Sequence, residues 1–279
     1  MKVPTIARDS MLYWTASPVG SQGGTNYNSS SGNDLGQDDD GSTSNWRAIQ
    51  NFRPSVLICP SSPIDPILKG HNNATVGHLD PSYAGVAGAP DAAFRTVTSS
   101  NPDRCPRAAG DRSGICSNGI FVGAPFRSTK ASDYTDVGRR PQQVADGLSK
   151  VIAIGEQSRW GLADSGGGNF VQSRCRATGR WGWAVGATGN AGNRIATTSV
   201  VCRPLGTTEC GQYYATSASS VDSGISNIDA CTAFRSSHGA GAQFAWGDGR
   251  VSWLEENIDF NLYQRLAIVD TSTVKDIQP

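Results

Sequence analysis

Long hydrophobic runs are missing from this sequence. No stretch reaches the roughly 18 apolar residues that a membrane-spanning helix needs, and the opening Met1-Lys2-Val3-Pro4-Thr5 lacks the apolar centre of a signal peptide. Taken alone, that absence points to the cytoplasm. A net field is missing as well: 24 basic and 24 acidic side chains cancel, so nothing draws the chain to a polynucleotide or an anionic lipid surface, and we expect no nucleic-acid partner. Apolar residues, at 37%, and charged residues, at 17%, are both sparse. Catalytic and cofactor signatures are absent too. There is no Gly-x-Ser-x-Gly elbow, no phosphate-binding glycine loop and no dinucleotide fingerprint.

What is present in quantity is glycine, 33 residues, and proline, 14, in a chain of 279. Turns and loops are therefore plentiful, and the length allows one large domain or two small ones with a buried core. Seven cysteines (Cys59, Cys105, Cys116, Cys175, Cys202, Cys210 and Cys231) stand mostly in polar, loop-like surroundings without Cys-x-x-Cys spacing. That usage suits an oxidising compartment rather than the cytoplasm. Proximity pairs Cys105 with Cys116 and Cys202 with Cys210, each closing a short loop that contributes roughly 2–3 kcal/mol through denatured-state entropy. Cys175 with Cys231 is a third candidate pair, which leaves Cys59 without a partner.

Two segments follow from composition. Residues 1–53 form a polar, loop-rich N-terminal segment in which Ser17 to Asn45 cannot bury enough surface to fold alone. Its Asp38-Asp39-Asp40-Gly41 offers Asp38 and Asp40 as weak calcium ligands, but no Glu closes the loop as in an EF-hand, and a solvated acidic turn is the expectation. Residues 54–279 form a β-rich head. Pro54 to Pro60, Ser82 to Gly88, Gly119 to Val122 and Val151 to Glu156 read as strands, the last following the turn signal Asp146-Gly147. Arg174 to Ala230 reads as irregular β structure. Ala242 to Trp246 and Arg250 to Leu254 flank Gly247-Asp248-Gly249, which predicts a hairpin with a type I′ turn and a Trp246–Trp253 cross-strand pair. Asp259 caps a predicted helix from Phe260 to Ile268 with Leu262, Leu266 and Tyr263 toward the core.

From His238 the chain reads HGAGAQFAWGDG, a histidine, nine residues, then Asp248-Gly249. Upstream, in order, stand Leu57-Ile58-Cys59-Pro60-Ser61, Ser82-Tyr83-Ala84-Gly85, Ala145-Asp146-Gly147-Leu148-Ser149 and Gly155-Glu156. Together these resemble a large bacterial family of unknown function with prepilin-type N-termini and a C-terminal H-x(9)-D-G motif, over roughly Pro54 to Val274. The resemblance implies an α+β, mostly β fold: the antiparallel globular head of a type IV pilin or pseudopilin, with long loops. Members begin with a prepilin signal and a long hydrophobic helix, and that helix is absent from this sequence. A trimmed start, a misassigned start and a processed head all account for the difference. Members also often carry a Cys just after that helix, which accounts for an unpaired Cys59.

His238, Asp248 and Glu156 include the residue types of a metal or proton-transfer site. The plainer reading has His238 bracing the loop before the hairpin and Asp248 with Gly249 making its turn. A buried Glu156 needs a partner on either reading. His71 and His78 lie seven apart in a glycine-containing loop, which fixes no zinc geometry. Among the seven tryptophans, Trp181 and Trp183 share one strand face and are the candidates for a surface that stacks on glycans. The sequence thus reads as a structural subunit of an extracellular or cell-surface, pilin-like homo-oligomer or filament and not as an enzyme, with calcium the one cofactor to consider. The alternative is a secreted carbohydrate-binding or adhesive module whose partners are surface glycans.

Overall fold

The computed structural model describes residues 53–68, 78–90, 118–121, 139–164, 170–176, 187–188, 194–195, 198–209 and 232–271. Its strands are β1 (Ile67–Leu68), β2 (His78–Leu79), β3 (Tyr83–Gly88), β4 (Ile152–Glu156), β5 (Gly161–Asp164), β6 (Phe170–Ser173), β7 (Ala187–Thr188), β8 (Arg194–Ile195), β9 (Thr198–Val200), β10 (Gly241–Trp246) and β11 (Val251–Glu255). Among the described residues one α-helix, α1 (Phe260–Leu266), follows them. The fold is α+β and mostly β. Its largest element among the described residues is a five-stranded sheet in the order β11-β10-β4-β3-β9, and β1-β2, β5-β6 and β7-β8 form two-stranded ribbons. Neighbours in the large sheet are antiparallel except β3 and β9, so it is mixed rather than purely antiparallel.

Each face of the sheet has its own role. Ala84, Val86, Ala242 and Phe244 point into the main core with Phe234, Tyr263 and Ile268. Phe244 meets Phe234 and Tyr263 edge-on, with centroids 5.4 and 5.8 Å apart, the arrangement that aromatic quadrupoles favour. Gly155 makes this packing possible, because a Cβ there would sit 2.4 Å from Phe234 and 2.5 Å from Phe244. Strand alternation then sends the neighbouring Ile154 and Glu156 to the opposite face. On that face Val251, Ala245, Ile154, Gly85 and Thr198 are successive cross-strand partners.

The turn between β10 and β11 departs from the expected type I′. Gly249 has φ +87°, but Asp248 is not left-handed, whereas type I′ needs positive φ at both central residues. Gly249 N–H donates to the Trp246 carbonyl (2.9 Å), and the Asp248 carboxylate accepts from the Arg250 N–H (3.0 Å). Trp246 and Trp253 are not cross-strand partners either. Trp253 lies opposite Gln243, while Trp246 carries the Arg250 guanidinium 4.3 Å from its ring centroid.

Other expectations are corrected by local chemistry. The Pro54–Pro60 run is not a buried strand: Ser55–Leu57 form a 3₁₀ turn, and Val56 is 78% exposed. Proline fixes the φ at which such a turn starts. Asn118–Phe121 is a bend, closed by Gly119 N–H donating to the Ala87 carbonyl and Val269 N–H to that of Asn118. In α1, Asp259 caps Leu262 N–H at 2.8 Å, and Tyr263 and Leu266 face the core as expected, but Gln264 is buried with them and Leu262 is exposed.

The Tyr263 hydroxyl is buried without a hydrogen-bond partner among the described residues, and burial pushes its pKa well above the ordinary value. Tyr263→Phe should therefore be neutral or stabilising by up to about 1 kcal/mol at neutral pH. Above about pH 10 the unfolded phenol ionises while the folded one stays protonated, so wild-type stability falls with rising pH. The variant should lose less over that range. Urea titrations at neutral and alkaline pH check both parts, and a clear destabilisation at neutral pH would mean that the hydroxyl has a partner.

Candidate functional site

One end of the large sheet gathers residues from distant parts of the sequence. Glu156 closes β4, Tyr83 opens β3 directly opposite it, and His238 precedes β10. Cys59 arrives through the 3₁₀ turn, whose Leu57 carbonyl accepts the Ser82 N–H at 2.9 Å. The Cys59 Sγ lies 3.3 Å from His238 Nε2, although the two residues are 179 positions apart. The same Nε2 is 3.8 Å from Glu156 Oε1. Cys59 and Glu156 are buried, whereas the His238 side chain is 37% exposed.

The partner that a buried Glu156 requires is thus in place. Its Oε1 also accepts from the Ser158 hydroxyl at 2.5 Å, and its Oε2 from the Gln243 N–H at 3.2 Å. Ser158 Oγ in turn accepts the Ser237 N–H at 2.9 Å, and Ser236 Oγ accepts the His238 N–H at 3.0 Å. Tyr83 stands beside this group. Its phenol pKa is raised, first by burial and then by the neighbouring Cys59 and Glu156.

Behind the site lies a lattice of buried arginines. Asp80 Oδ2 accepts from Arg174 and from Arg176, each at 3.1 Å, and Arg174 also donates to the Asp65 carbonyl. Arg176 further donates to the Gln157 carbonyl (2.9 Å) and the Ser62 hydroxyl (3.0 Å). Burial pushes the Arg176 guanidinium below its ordinary pKa, and Asp80 opposes that shift. The Ser62 hydroxyl donates to the Ser158 carbonyl at 2.7 Å, so the lattice and the site share one hydrogen-bond network.

The geometry separates the residues singled out from the sequence. His238 and Glu156 come together, but Asp248 and Gly249 lie at the far end of β10, about 20 Å away at roughly 3.3 Å per residue. The nine-residue spacing therefore measures a strand and not a constellation. Cys59 and Tyr83 belong to the site although sequence reasoning gave neither a chemical role. The available signal was that both sit in segments carrying the family resemblance and that Cys59 was the odd cysteine.

Cys59 is a free thiol, while Cys175 and Cys202 are disulfide-bonded. Their expected partners Cys231 and Cys210, the Cys105–Cys116 pair, the glycan candidates Trp181 and Trp183, the calcium candidates Asp38 and Asp40, and His71 lie outside the described residues. Among the described residues, no helix is long and apolar enough to cross a membrane.

No curated protein matches the chain, and no solved structure does. A family model does match, over residues 22–261, a span that takes in the whole sheet and every residue of the site. The chain belongs to the family described as protein of unknown function (DUF1559).

Proposed function

We propose that this protein is a structural subunit of a pilin-like assembly at the bacterial cell surface, contacting further copies of itself through the outward face of its large sheet. The observation that carries the reading is that face. Val251, 61% exposed, and Ile154, 38% exposed, flank Ala245 in one cross-strand row. The exposed Phe121 ring extends the row by lying against Gly85. Apolar side chains aligned across a β surface favour burial against a partner, and a chain with no net charge does not repel its own copies. Disulfide-bonded Cys175 and Cys202 support an oxidising, extracytoplasmic setting.

Sedimentation velocity and negative-stain microscopy of the oxidised protein over a range of concentrations test the reading. Wild type should form concentration-dependent, regular oligomers. Ile154→Glu and Val251→Glu should remain monomeric with melting temperatures close to wild type, since both positions face solvent. A protein that stays monomeric throughout, or oligomers indifferent to both substitutions, would refute it.

A further inference from the structure

The cluster at the end of the sheet has a second property that the assembly reading does not use. Cys59 Sγ, Glu156 Oε1 and His238 Nε2 offer one ligand atom each, and these atoms all lie within 4.8 Å of one another. We propose that Cys59, Glu156 and His238 form a binding site for a zinc-class divalent transition metal.

The donor set selects the metal. A thiolate, an imidazole and a carboxylate suit a borderline-soft ion, whereas calcium and magnesium require shells built from oxygen. Distances agree. In a tetrahedral zinc site with sulfur at about 2.3 Å and nitrogen and oxygen at about 2.0–2.2 Å, the ligand atoms are separated by roughly 3.3–3.6 Å. The sulfur–nitrogen separation here is 3.3 Å and the nitrogen–oxygen separation 3.8 Å. Side-chain rotations that move the ligand atoms by about an ångström complete the geometry.

The rival chemistry, a thiol–imidazole–carboxylate relay, requires the carboxylate and the thiol to engage different ring nitrogens, so that a proton taken at one is balanced at the other. Here both face Nε2. Convergence on a single nitrogen is how ligands surround an ion.

The supporting shell is built. Glu156 is oriented by Ser158 and by the Gln243 N–H, and the His238 backbone by Ser236, the kind of outer contacts that hold ligands in register. The half-exposed imidazole forms the solvent side of the site and gives an ion a way in. Three protein ligands leave a fourth position for water or for a donor from another molecule.

The experiment uses the full oxidised chain, stripped with a chelator and titrated with Co(II) and then Zn(II). We expect one Co(II) per chain, an intense thiolate-to-cobalt charge-transfer band, visible bands of tetrahedral strength, and displacement by Zn(II) with a rise in melting temperature. Cys59→Ser should abolish the charge-transfer band, and His238→Ala should weaken binding by at least about tenfold. Because His238 is half-exposed, its variant should keep its fold, so it decides the matter even where Cys59→Ser does not fold. Absence of the charge-transfer band in wild type with cobalt in large excess, or a band unchanged in His238→Ala, would overturn the proposal. Metal binding is read spectroscopically on monomeric protein, so its failure is separate from any failure of the assembly reading.

Discussion

Asp80→Asn is expected to destabilise the fold by about 3–5 kcal/mol, which for a protein of this size lowers the melting temperature by on the order of 10 °C. The substitution keeps the side chain's shape and an acceptor oxygen but removes the charge that faces Arg174 and Arg176, both at 3.1 Å. All three side chains are buried, at 0%, 4% and 1% exposure, so bulk water cannot take over as counter-charge. Breaking a buried ion pair from one side costs far more than the pair contributes, because the remaining charge is left in a medium that solvates it poorly. Here Arg176 is left beside a neutral amide, and Arg174 loses the same carboxylate. Thermal and urea unfolding of the purified variant measure the loss. A change below about 1 kcal/mol, the scale of an exposed pair, would show that water reaches the cluster.

Arg235→Leu is expected to cost about 3 kcal/mol or more, by a different route. Arg235 is fully buried, yet the partners around its guanidinium are carbonyls: Arg159 at 2.9 Å, Arg174 at 3.0 Å, Cys175 at 2.9 Å and Ala233 at 3.2 Å. Burial, then Arg176 and Arg159, lower its pKa to about 9. A cation whose folded pKa is depressed weakens the fold at neutral pH, and that cost fades as pH rises above about 9. Leucine removes this cost, worth several kcal/mol. It also withdraws the donor from carbonyls that each cost about 1–3 kcal/mol when left unmade, and it leaves unfilled space. With four acceptors affected, the second effect wins. Arg235→Lys should recover part of the loss, since one ammonium cannot span the planar fan that the guanidinium fills. Chemical denaturation of the two variants side by side settles the ranking.

Much of the sheet was legible in the sequence. The β-branched run ending at Glu156 became β4, alternation around Gly247-Asp248-Gly249 became a hairpin, and Asp259 caps α1, because each depends on residues within a few positions of one another. Pro54–Pro60 misled because an apolar run bounded by prolines looks like a strand, whereas among the described residues no strand pairs with it. The tryptophan pair failed because Trp246 and Trp253 stand at unequal distances from Gly247-Asp248-Gly249, so a hairpin closed there sets Trp246 beside Arg250 and Trp253 opposite Gln243. The site itself was half legible. His238 and Glu156 drew notice as chemically able residues, but no local pattern shows that Cys59 meets an imidazole 179 residues away. The arginine lattice was invisible, since buried and solvated arginines have the same letter.

The order of strands in the large sheet carries a consequence for how the polypeptide matures. Glu156 and the backbone of Gln243 that holds it are 87 residues apart, and the middle strand has no β10 beside it until most of the chain has been made. Local turns and the short ribbons can form as the polypeptide emerges, but closure of the hydrophobic interior waits for the last fifth of the molecule. Such long-range topology folds slowly, and a truncation anywhere before the terminal hairpin leaves an open β4 edge exposed to aggregation.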